Sequence, residues 1–150
     1  MAYWLMKSEP HEFSMDDLKV KRRQSWDGVR NYQARNMMRD DMKKGDLAFF
    51  YHSNCKEPGV AGVVSICKEA YPDNITFGRK GKKVKGNADP DNPTWFMVDV
   101  QYKRKLKRTI TLAEIKAESK LKSMQLVRKG NRLSVMPVSK AEWDHILSME

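Results

Sequence analysis

Short apolar runs separated by polar punctuation predict most of the elements in this chain. Tyr3-Trp4-Leu5-Met6 is apolar and is stopped by Lys7-Ser8-Glu9-Pro10, the signature of a buried strand entering a turn. Asp46-Leu47-Ala48-Phe49-Phe50-Tyr51 is continuously apolar after its first residue, which predicts a strand buried on both faces. It empties into a polar cluster, His52-Ser53-Asn54-Cys55. Gly59 to Cys67 is a third strand, whose glycines predict a bulge or a close backbone approach. From Trp95 to Leu106 the pattern alternates: Phe96, Val98, Val100 and Tyr102 face one way, Met97, Asp99, Gln101 and Lys103 the other. Leu133 to Met136 is a last strand, stopped by Pro137.

Helices announce themselves by their caps. Ser14 with Asp17, Thr111 with Glu114 and Ser139 with Glu142 each have capping-box spacing and flanking staple residues. Asn31 can cap a further helix, on which Ala34, Met37, Met38 and Met42 form a packing stripe before Lys43-Lys44-Gly45 ends it. The final helix turns Trp143, Ile146 and Leu147 to one side. Strands and short helices mix without βαβ alternation. The expected fold is therefore α+β: a mixed, mostly antiparallel β-barrel surrounded by short helices, in one domain spanning residues 1–150. Pro72 to Pro93 has no period, and a loop of that length is either functional or a flexible insertion.

Composition narrows the partner. The formal net charge is +10, with 40% hydrophobic and 32% charged residues. Such a surface attracts polyanions. No apolar run approaches a membrane span, no signal peptide is recognisable at Met1 to Pro10, and no basic amphipathic helix appears, so nucleic acid is favoured over membrane. Cys55 and Cys67 form no CxxC pair and suit reduced thiols in an intracellular chain; with three scattered histidines they give no zinc spacing. No cofactor is expected.

The stretch Ser25-Trp26-Asp27-Gly28-Val29-Arg30-Asn31-Tyr32-Gln33-Ala34-Arg35-Asn36 departs from any core pattern. Asp27-Gly28 predicts a turn and Asn31 a helix start. Trp26 and Tyr32 flank that turn, and Arg30 and Arg35 add two guanidiniums. Together they suit an anionic, aromatic ligand such as a nucleotide. Equally, Trp26 can cap the core while the arginines are merely solvated. Lys19 to Arg23, Arg79 to Gly86 and Lys103 to Arg108 are basic runs able to follow a phosphate backbone.

Catalytic signals are weak. There is no Gly-rich phosphate loop and no nucleophile elbow. A hydrolase or transferase using Cys55 beside His52, or Glu9 as a base, is the alternative from another class, and no catalytic residue is assigned.

Taken together, residues 3–10, 26–36, 49–59, 68–73 and 132–138 resemble the EVE-domain family, in particular a group of eukaryotic proteins and their bacterial counterparts. The resemblance implies a PUA-like fold related to readers that hold a modified base in an aromatic cage. It implies binding of 5-methyl- or 5-hydroxymethylcytosine in DNA by base flipping, or alternatively of a modified base in RNA, by a non-enzymatic monomer. On the family pattern Ser8, Trp26, Asn31, Tyr32, Ser53 and Trp95 map near the base pocket. Arg30, Arg35, Arg79, Lys80, Lys103 and Arg104 are the expected phosphate contacts. The chain starts at its first strand without the basic extension of eukaryotic members, which favours a bacterial cytoplasmic protein over a nuclear one.

Overall fold

A computed structural model describes residues 1–74, 86–87, 89 and 91–150. The strands are β1 (Tyr3–Ser8), β2 (Arg23–Ser25), β3 (Leu47–His52), β4 (Gly59–Pro72), β5 (Phe96–Thr111) and β6 (Val135–Val138). The helices are α1 (Met15–Lys21), α2 (Tyr32–Asn36), α3 (Leu112–Ala117) and α4 (Lys140–Ser148). A π-turn, Met37–Asp41, follows α2, and two 3-10 turns, Ser119–Leu121 and Gln125–Val127, follow α3.

All six strands form one sheet in the order β2-β5-β4-β3-β1-β6. β1 and β3 run parallel and every other pair is antiparallel. The α+β class is as the sequence predicts, but the closed barrel is not: among the described residues β2 and β6 are the sheet's edges and do not pair with each other. Both edges are short, and Pro137 in β6 lacks the N–H that an interior strand must donate.

Both faces of the sheet are covered, as the unbroken apolar run of β3 requires. Trp4, Met6 and Phe50 join a core with Phe13, Met15, Trp26 and Met38. Their alternating neighbours Leu5, Phe49 and Tyr51 join a second core with Ile110, Ile115, Met136 and Trp143. The Phe49 and Trp143 rings stack at 3.9 Å. Three capping boxes start α1, α3 and α4. The glycines of β4 mark close approach: a Cβ on Gly62 would lie 2.4 Å from Met15 Cε, so this glycine lets α1 lie against the sheet.

Candidate functional site

Because β1 and β3 are parallel, their polar C-terminal ends emerge side by side. Ser8 is in register with His52, and the Ser53 amide donates to the Ser8 carbonyl at 3.0 Å. The Ser8 hydroxyl is buried and donates to the Phe13 carbonyl at 2.6 Å, tying down the turn after β1. Asn54 donates its side-chain amide to Glu9. His52 Nε2 accepts from the Met15 amide at 3.1 Å, and burial holds its pKa below the ordinary 6.5. That nitrogen is therefore engaged by the backbone rather than turned to Cys55. Glu9, His11 and Glu12 place one potential ligand atom each within 4.8 Å of one another, a kind of acidic surface cluster common without an ion.

The segment after β2 divides into a buried and an exposed half. Trp26 donates its amide to Val98 O at 2.7 Å, and its indole is wholly buried, edge-on to Phe50 at 5.4 Å. In this conformation no face of Trp26 is open to a stacking base. Gly28 turns the chain with a φ of +84° and donates to Asp73 Oδ2 at 2.8 Å. Arg30 pairs with the same oxygen at 2.9 Å. Asn31 caps α2, accepting from the Ala34 amide at 3.0 Å.

Tyr32, by contrast, is 61% exposed. Its ring leans on Trp95, centroids 5.0 Å apart and planes 34° apart. The Arg35 guanidinium lies 5.1 Å over Tyr32, and that of Arg30 5.4 Å over Trp95. Three residues of one short segment and the distant Trp95 thus make a single aromatic step capped at both ends by cations. The step is held from behind. Arg35 donates to Thr94 O at 2.6 Å, and Asn87 Oδ1 accepts from the Thr94 and Trp95 amides at 2.8 and 2.7 Å. Asn87 also donates to Asp73 O at 3.2 Å. Asp73 and Asn87 are positioning residues that the sequence did not single out, because their partners come from other segments.

The structure thus gathers Arg30, Tyr32, Arg35 and Trp95, with Asn31 next to Tyr32. It leaves Trp26 in the core and Ser8 and Ser53 at the ends of β1 and β3. Lys103 and Arg104 are exposed on β5, Arg104 gripping Glu150 with two bonds of 2.9 Å. Arg79 and Lys80 lie outside the described residues.

A cleft of about 410 Å³ opens beside this step. Asn31 and Gln33 form one wall, and Gln125 with the loop 128–133 the other. Arg128, Lys129 and Arg132 make the loop cationic. The sequence carried this signal as three cations around Gly130, a run too short to stand out in so basic a chain.

Among the described residues no helix is long and apolar enough to cross a membrane. The EVE domain profile matches residues 2–149. Thymocyte nuclear protein 1 from Homo sapiens is 48% identical over 99% of this chain and 74% of its own length. A crystal structure from Pseudomonas syringae superposes with a TM-score of 0.90 at 45% identity, covering 99% of each chain. Human THYN1 in complex with DNA containing 5-methylcytosine superposes with a TM-score of 0.88 at 47% identity, covering 99% of this chain and 97% of that one. With a match running almost from end to end and half the residues shared with its human relative, this chain belongs to the EVE-domain family.

Proposed function

We propose that this protein is a non-enzymatic reader of a modified cytosine in DNA, and that the Tyr32–Trp95 step receives the base. The observation that carries the reading is an exposed aromatic pair flanked by two guanidiniums, in a relative of a protein crystallised with 5-methylcytosine DNA. The two rings, 5.0 Å apart, are too close to admit a base between them, which needs roughly 7 Å at the ~3.4 Å spacing of stacked bases. The base therefore stacks on the exposed side of Tyr32, where it meets the Arg35 guanidinium, a stack worth roughly 1–3 kcal/mol. That offsets the few kcal/mol of flipping it from a duplex. Asn31, whose Oδ1 is committed to the helix cap, keeps its amide N–H groups for the base edge. In this scheme Ser8, Ser53 and Trp26 do not touch the base, and Trp26 acts through the core. Arg30 and Arg35 orient the rings, and Lys103 and Arg104 contact backbone phosphates farther along.

A buried methyl adds only ~0.8 kcal/mol. Discrimination must come from the shape of the pocket as well. The test is binding of matched oligonucleotides carrying cytosine, 5-methylcytosine or 5-hydroxymethylcytosine, as DNA and as RNA, at near-physiological salt. A preference for modified DNA that Tyr32→Ala removes supports the reading. A preference for modified RNA transfers the same step to a single-stranded target. Equal binding to all oligonucleotides would overturn base reading. The protein would work as a monomer, in the nucleus of a eukaryote or beside the nucleoid of a bacterium.

A further inference from the structure

We infer that the cleft between α2 and the loop 128–133 is a second nucleic-acid subsite, which holds the phosphodiester backbone next to the base being read. This inference rests on the reading above for the identity of the polyanion. Apart from Asn31, which lies in both, it stands on different residues.

Charge and concavity together single out the cleft. Arg30, Arg104, Lys105 and Arg108 are neutralised by Asp73, Glu150, Asp16 and Glu114. Arg128, Lys129 and Arg132 are exposed and have no carboxylate partner among the described residues. Three uncompensated charges around one concavity raise the local potential for an anion far above that of scattered surface lysines.

The loop is braced to present them. Asn131 donates to Gln125 O at 2.6 Å and accepts from the Leu133 amide at 3.0 Å. The Arg128 amide bonds Gln125 O at 3.1 Å, and Gly130 takes a φ of +79° at the bend. The Arg128 guanidinium reaches back to Ser123 O at 3.3 Å. Such a brace limits the ordering that binding would otherwise require.

The lining favours a nucleotide over a bare inorganic anion. Asn31, Gln33, Gln125 and Asn131 put four amides among the cations. Asn31 and Gln33 in the wall flank Tyr32 in sequence, so the segment that carries the aromatic step also carries one wall of the cleft.

The experiment compares R128Q/K129Q/R132Q with K116Q/K120Q/K122Q, a control that removes the same charge from exposed lysines elsewhere. Binding to unmodified and 5-methylcytosine duplexes is measured across salt concentrations. Each phosphate contact contributes about 0.9 to the slope of log K against log salt. The cleft variant should therefore lose about 2–3 in slope on both duplexes and leave their affinity ratio unchanged. R132Q alone should lose about 1 on the same scale. The control should lose little. Equal loss in both triple variants, or no loss in the cleft variant, would overturn the subsite. A wild-type ratio of one between the duplexes would instead sink base reading, and the slope difference would still decide the cleft.

Discussion

Arg30 and Asp73 form a 2.9 Å ion pair whose carboxylate is entirely buried and whose guanidinium is almost so, with 15% of the side chain exposed. The same carboxylate oxygen accepts from Gly28, and the same guanidinium lies over Trp95. The pair therefore joins the turn after Trp26 to the end of β4. Its charge is balanced internally, so on the proposed reading Arg30 serves to place Trp95. Arg30→Ala strands a buried carboxylate and should cost about 3 kcal/mol. At roughly 2–4 °C per kcal/mol for a chain of this size, thermal unfolding should fall by roughly 6–12 °C. An unchanged midpoint would show that the pair does not hold these two segments together.

Tyr32 and Trp26 should respond to truncation in opposite ways. Tyr32 is 61% exposed, so Tyr32→Ala should alter stability by less than about 0.5 kcal/mol while weakening binding of modified DNA. Trp26 fills the core against Phe50, and Trp26→Ala should cost about 3–5 kcal/mol. Denaturant unfolding of both variants separates the two roles. A stable Trp26→Ala protein would mean that the indole is not part of the packed core.

Gly59 and Gly62 offer a graded comparison. A Cβ on Gly59 would lie 2.3 Å from the Ile110 carbonyl oxygen, which the β4–β5 ladder holds in place. On Gly62 it would meet the thioether end of Met15, which can swing aside. Gly59→Ala should therefore lower the unfolding midpoint more than Gly62→Ala. The reverse order would place the tight contact on the α1 side.

His52 gives stability a pH dependence. Burial outweighs the pull of nearby Asp16 and Asp17, so the folded imidazole titrates below 6.5, with Lys105 adding to the depression. Between the folded value and about 6.5 the unfolded chain binds more protons. Stability from this group is complete above about pH 6.5 and falls as pH drops through the folded pKa, when protonation also removes the acceptor for the Met15 amide. His52→Gln should flatten the urea midpoint between about pH 5 and 7 relative to wild type. An unchanged slope would assign that titration to another group.

The sequence disclosed what is local. Caps at Ser14, Asn31, Thr111 and Ser139 are short-range hydrogen bonds between neighbours, and all four are present. The apolar runs gave β1 and β3 because burial on both faces leaves no polar period. What depends on distant segments was not legible. Nothing near Tyr3 indicates that β1 runs parallel to β3, and nothing near Tyr32 indicates that its neighbour is Trp95. The π-turn Met37–Asp41 interrupts the predicted helix while keeping Met38 and Met42 buried. The burial of Trp26 and the union of Asn31 with the loop 128–133 are likewise products of tertiary packing.

The register of Tyr3 with Val138 has a consequence for biosynthesis. β1 leaves the ribosome first and can pair on one side once β3 has emerged. Its other side waits for β6. At ~5–20 residues per second, the interval from His52 to Val135 lasts roughly 4–17 s. Throughout it, an apolar strand presents an open ladder to other nascent chains. Completion of the fold is thereby coupled to the end of translation. Chains cut short before Val135 should accumulate as aggregates or be degraded rather than persist as partly working domains.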